Sequence, residues 1–296
     1  MTALRALLLA ALAGSGLLFS AYAVLVERRR TARAREPMSP PPAQLGIGFV
    51  TNFFDTLGIG SFAPTTSLFR IFRMVPDQLI PGTLMIGHMI PIIVQAWIFI
   101  KLIQVDTLTL VLLIGASVLG AFLGSGVVSR LPRRGIQLGM GSALLLASLV
   151  MLAGLLGLVP AGGELVALSG VRLGVGLLGN FVLGALMTIG VGAYAPSLIL
   201  FSLLGMNTKM IFPIMMGSCA LLMPAGGIKF VQQGTYSPRA ALALTLGGIP
   251  AVLLAGLWVK SMNLNLLRWL VFAVVVYTAL SMLRAGWREN PTKGDR

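Results

Sequence analysis

Asp55 is the only acidic residue deep inside an apolar stretch of this chain, and it stands three residues before GIGSFAP, Gly58 to Pro64. A carboxylate at bilayer depth is expensive and usually functional. It can titrate and couple proton movement, help hold a cation, or bond backbone where a helix breaks. Ser61, Thr65 and Thr66 flank it with hydroxyls. GVGAYAP, Gly190 to Pro196, repeats the pattern 132 residues later, with Tyr194 and Ser197 as its hydroxyl bearers. Gly58, Gly60, Gly190 and Gly192 let backbone approach a ligand closely. Pro64 and Pro196 suit the first turn of a new half-helix, where a missing N–H is harmless. The free N–H groups of such a turn carry roughly half a positive charge. Two of them converging make an anion site built from neutral donors. The competing reading is that the hydroxyls merely cap broken helices.

Four further residues have chemistry to offer. Asn52 lies one turn before Asp55, and Asn180 begins the matching stretch in the second half. Both can touch substrate or cross-link helices. His88 falls near the centre of apolar segment 79–103 and Cys219 near that of 210–230. His88 is a proton carrier or a hydrogen-bonded packing residue. Cys219 is a sulfur-handling group or a buried thiol that packs. A single cysteine excludes an internal disulfide, and a single histidine excludes a multi-histidine metal site. No cofactor is expected. An intramembrane enzyme working through Cys219 would lack a second thiol, a metal cluster and a basic partner. A non-transporting scaffold would not need two glycine–proline breaks.

The elements that position these residues are membrane helices. The 296 residues are 57% hydrophobic and 10% charged, against about 25% charged in soluble domains. The alternating pattern of an outer-membrane barrel is missing. The net charge of +14 sits in short loops and tails, as the orienting charge of a membrane protein does. It does not interleave with aromatics, so no nucleic-acid partner is expected. The first apolar run, about Ala6 to Val26, ends in ERRRTARAR. That cluster predicts a retained helix in region 1–26, with its N-terminus outside and a cytosolic Pro-rich linker at 27–45. A signal peptide cleaved after Ala21-Tyr22-Ala23 is the alternative, but its basic cluster would be on the wrong side.

Further apolar segments run over 46–73, 79–103, 108–129, 136–158, 173–204, 210–230, 240–259 and 266–284. The 132-residue offset also pairs Phe49 with Phe181, Thr56 with Thr188, Phe69 with Phe201, Met74 with Met206 and Pro81 with Pro213. This predicts a duplication: repeat 1 at 46–158, a connection at 159–177, repeat 2 at 178–290 and a cytosolic tail at 291–296. Full crossing by both interrupted segments would put 13 Lys and Arg inside and 9 outside. Re-entrant hairpins would put 16 inside and 6 outside, which obeys the positive-inside bias better. The expected fold is therefore an all-α, polytopic integral membrane protein. It has two inverted repeats, each a broken, re-entrant helix hairpin plus three transmembrane helices, preceded by one extra N-terminal helix. Such repeats bind substrate near the midplane. Kinked spanning helices are the alternative.

NFFDTLGIGSFAPTT (Asn52–Thr66), IPGTLMIGHMIP (Ile80–Pro91) and FPIMMGSCALLMP (Phe212–Pro224) resemble the TauE/SafE sulfite exporter family over about residues 45–284. The resemblance implies a duplicated transporter of the bacterial inner membrane. It implies as partners the lipid bilayer and a small anion such as sulfite, an organosulfonate or thiosulfate. A channel for such an anion is a variant of the same reading.

Overall fold

The computed structural model describes residues 3–29, 39–58, 60–76, 78–128, 133–157, 163–187, 193–261 and 264–288. They form twelve helices: α1 (Ala3–Arg29), α2 (Pro42–Thr56), α3 (Phe62–Ile71), α4 (Ile80–Gly87), α5 (Met89–Leu102), α6 (Thr107–Val128), α7 (Arg133–Leu155), α8 (Gly170–Met187), α9 (Tyr194–Leu203), α10 (Thr208–Gln233), α11 (Pro238–Ser261) and α12 (Leu264–Arg288). Five segments are long and apolar enough to cross a membrane by length and composition: α1, α4 with α5, α8, α10 and α11 as far as Trp258. Large apolar side chains such as Leu18, Phe122, Val171 and Leu257 stand mostly exposed. Patches of that kind need an apolar surround. The chain is an all-α, polytopic membrane protein.

The first break forms where the sequence asks for it. Gly58 has φ +96° and Gly60 φ +85°, a region that costs an L-residue about 1–2 kcal/mol. Helix α2 therefore stops at Thr56, and α3 starts after Ser61 with Pro64 in its first turn. A further break divides segment 79–103 at His88. Pro91 has no N–H to give the carbonyl of Gly87. The Thr245 hydroxyl of α11 donates to that carbonyl instead, at 2.8 Å.

Contacts at the two ends of the helices trace the path of the chain. Arg5, at the start of α1, donates to the carbonyls of Ile100 and Ile103 and to Gln104 Oε1. At the far end of α1, Glu27 accepts from the Tyr236 hydroxyl at 3.2 Å. Near that far end, Arg239 Nε donates to the Ser39 carbonyl at 2.7 Å, just ahead of α2. Ile47, Phe69, Val75, Ile80, Ala240 and Leu244 form one apolar cluster there. The start of α2, the end of α3 and the starts of α4 and α11 thus share one face. On the opposite face, Leu165 bridges Met206, and Asp106 N–H donates to the Val166 carbonyl. The lead-in to α8 and the exit from α9 meet there. At 18 residues, α8 is about 27 Å long, and the residues just before it and just after α9 meet through Leu165 and Met206.

The turns after α3 and α9 correspond residue for residue. Met74 N–H donates to Phe69 O and Arg73 N–H to Arg70 O. Met206 N–H donates to Phe201 O and Gly205 N–H to Ser202 O. Each is the bond pair of a helix stop closed by a left-handed residue. Packing follows the same offset: α2 lies against α11, and α8 against α6. Small residues permit both contacts, as in other membrane interfaces. A Cβ on Gly48 would stand 2.8 Å from Leu244 Cα, and one on Gly184 would collide with Ser117 O.

Candidate functional site

The end of α2 carries three polar side chains that bond back into their own helix. Thr51 donates to Ile47 O, Asn52 Nδ2 to Gly48 O at 2.7 Å and Thr56 to Asn52 O at 2.8 Å. The Asn52 bond fixes its amide, so Oδ1 faces the His88 ring at the α4–α5 break. His88 Nδ1 lies 3.1 Å from Asn52 Oδ1, and His88 Nε2 lies 3.1 Å from Thr65 Oγ1 of α3. With Asn52 presenting an oxygen, Nδ1 carries the proton and Nε2 accepts from the Thr65 hydroxyl. The Phe62 ring covers the imidazole at 5.9 Å. This chain ties the two arms of the first hairpin to the next helix.

A second network begins one turn later. Asp55 Oδ2 accepts from Gln95 Nε2 at 2.8 Å and from the Tyr194 hydroxyl at 3.3 Å. The other Gln95 N–H goes to Thr56 Oγ1, and Gln95 Oε1 faces the same Tyr194 hydroxyl. Both groups of the Gln95 amide are therefore engaged and its orientation is fixed. Ser61 turns its backbone N–H and side chain toward the Asp55 carboxylate. Among the described residues its buried hydroxyl completes no hydrogen bond. Asp55, Ser61, Thr65, His88 and Gln95 are each at most 1% exposed, and Tyr194 6%.

The first break meets the second hairpin here. A Cβ on Gly58 would lie 3.5 Å from both Leu198 of α9 and Phe212 of α10. Tyr194 opens α9, and Cys219 of α10 lies within electrostatic reach of Asp55. Cys219 Sγ contacts Met187 Sδ at 3.5 Å, at the last residue of α8. The space beside Gly60 is open to at least 4 Å. Two surface cavities lie elsewhere. One of about 450 Å³ is lined by Arg70, Arg73, Val75 and Pro76. The other, of about 560 Å³, is lined by Phe53, Leu254, Leu257 and Trp258. Neither reaches the central polar cluster.

Of the residues expected at the site, Asn52, Asp55, Gly58, Ser61, Thr65, His88, Tyr194 and Cys219 gather at this junction. Pro64 and Thr66 are half-buried on α3, and Ser197 is buried on α9. Asn180 donates to Leu113 O at 2.7 Å and to Ser218 Oγ, next to Cys219, at 3.1 Å, tying α8 to α6 and α10. Gly190 and Gly192 lie outside the described residues. Gln95 and Thr56 were missed. Gln95 had a sequence signal, as the lone polar residue in IIVQAWIFI.

The anion site expected from neutral donors has an acidic occupant. The start of α3 faces Asp55, and Gln95, Tyr194 and Ser61 converge on it. The sequence carries no Lys or Arg between Arg35 and Arg70, Arg73 and Lys101, or Arg172 and Lys209, so no cation from these stretches balances the carboxylate. Among the described residues no group of three His, Cys, Asp or Glu could hold a metal.

A model of the sulfite exporter TauE/SafE family matches residues 56–282. No curated protein and no solved structure matches the chain.

Proposed function

The chain belongs to the TauE/SafE sulfite exporter family, a transporter family, and on that premise we propose that it carries a small sulfur-containing anion such as sulfite or an organosulfonate. The substrate binds where the two hairpins meet. The observation that supports this most is Ser61: a buried hydroxyl that turns toward Asp55 yet completes no hydrogen bond among the described residues, at the head of a half-helix and next to Gly60, where a Cβ would meet no described atom within 4 Å. An unpaired buried hydroxyl costs about 1–3 kcal/mol. An oxyanion there would accept from it and from the free N–H groups of the turn. Neutral donors hold such an anion firmly enough to select it and weakly enough to release it.

The repeats are inverted in this reading, and rocking one against the other exposes the junction to each side in turn. The face where α1 ends and α3 exits is cytosolic. It carries Arg28 and Arg29 at the end of α1, Arg70 and Arg73 at the end of α3 and Arg239 at the start of α11, which suits the positive-inside bias. The protein then sits in the inner membrane with its N-terminus outside and its C-terminus in the cytosol. A negative cytosol favours export wherever the transported unit carries net negative charge. Purified protein in liposomes, offered a panel of labelled anions, tests the reading. Saturable flux of sulfite or a sulfonate is expected. Failure to carry any small anion would defeat it.

A further inference from the structure

The donors at the junction already serve one anion, the protein's own. Gln95 Nε2 and the Tyr194 hydroxyl bond Asp55 Oδ2, and Ser61 faces the same carboxylate. A substrate oxyanion drawing on Ser61 and the same donors would stand about 5 Å from the carboxylate. At an effective dielectric of about 20, repulsion between two charges at that range weakens binding a few hundredfold. Among the described residues no nearby charge offsets it. Facing Asp55 are Gln95 of α5, Ser61 at the head of α3 and Tyr194 of α9, with Cys219 of α10 within electrostatic reach, all uncharged in their ordinary forms. His88, at the α4–α5 break, bonds Asn52 and Thr65 instead. The arginines and lysines of the packed helices stand toward their ends: Arg70 on α3, Lys101 on α5, Lys209 and Lys229 on α10, Arg239 and Lys260 on α11.

We infer that Asp55 is a proton-binding site for co-transport: the junction holds either the Asp55 carboxylate or an external anion beside the protonated acid. Protonation removes the competing charge and turns one carboxyl oxygen into a donor that can face the substrate. The proton comes from the solution on the loading side and leaves on the releasing side. One proton and one anion therefore move together in the same direction. A monovalent sulfonate then travels without net charge. A dianion with one proton still moves one negative charge, so the membrane potential still favours its export. This inference rests on the proposed anion carriage at the junction.

The test uses the full-length protein in liposomes with a permanently ionised sulfonate, whose charge does not change with pH. One-to-one coupling sets its steady-state accumulation at about tenfold in the alkaline compartment per unit of imposed pH gradient. Clamping the membrane potential at different values leaves that ratio unchanged. In Asp55→Asn the ratio falls to one under the pH gradient, whatever the rate, and responds to potential instead. Wild-type sulfonate flux that ignores the pH gradient overturns the inference while leaving anion carriage intact. Accumulation by Asp55→Asn equal to wild type overturns it too. No flux of any anion by the wild type overturns both. If Asp55→Asn does not fold, the wild-type gradient experiment decides alone.

Discussion

Replacing Thr65 by Val tests the bond pattern around His88 most sharply. The Asn52 amide is anchored by its 2.7 Å bond to Gly48 O, so its oxygen points at His88 Nδ1. That leaves Nε2 as an acceptor with one donor, the Thr65 hydroxyl at 3.1 Å. Valine keeps the shape and removes the proton. A buried ring nitrogen without a partner costs about 1–3 kcal/mol, so Thr65→Val lowers stability by about 2 kcal/mol and Thr65→Ser by far less. The opposite tautomer would set the Nδ1 lone pair against Asn52 Oδ1 and lose that bond. A penalty of about 2 kcal/mol or more disfavours it by roughly 30-fold. The chain has one histidine, so nitrogen-15 spectra of histidine-labelled protein show this ring alone. The wild type should show the Nδ1–H form, with Nε2 shifted on Thr65→Val. A dominant Nε2–H form, or melting of Thr65→Val indistinguishable from Thr65→Ser, would refute the reasoning.

Arg5→Met strips the donors from two carbonyls at the end of α5. It should destabilise the protein by about 2–4 kcal/mol, seen as a lower melting temperature in detergent. Arg73→Gly should do the reverse. Arg73 holds φ +50°, alone among the described non-glycine residues, at the position that Gly205 fills after α9. Relief of that strain is worth about 0.5–1 kcal/mol of added stability, and a lower melting temperature would contradict it. Cys219→Ala should keep sulfite flux within about twofold, because the buried thiol meets Met187 sulfur in an otherwise packed setting and such thiols mainly fill space. Loss of flux with an unchanged melting temperature would give the sulfur a direct role.

Much of the fold was legible because its signals are local. Gly58, Gly60 and Pro64 mark the first break through their own backbone preferences, and the helices follow the apolar segments within a few residues. The 132-residue offset, read from side-chain types, reappears in the bond pairs after α3 and α9. What stayed hidden needed the third dimension. The His88 break depends on Thr245, 158 residues away, to satisfy the carbonyl that Pro91 abandons. Gln95 acquires its role only when α5 carries it beside Asp55, 40 residues earlier. The same holds for Asp55 itself. Its position before the break was plain, but its turning onto the start of α3, where an outside anion was expected, is a tertiary fact. Arg5 likewise fastens α1 to α5 through carbonyls 95 and 98 residues away.

Substrate protection at Ser61 tests binding at the junction most directly. Ser61→Cys in a Cys219→Ala background places a single thiol where the unpartnered hydroxyl stands. Reaction with a small thiol reagent should proceed from either side of the membrane as the junction opens. A sulfonate should block it from both sides, half-maximally near the concentration that half-saturates transport. Labelling that proceeds unchanged under saturating sulfonate while flux continues would place the substrate elsewhere and contradict the account.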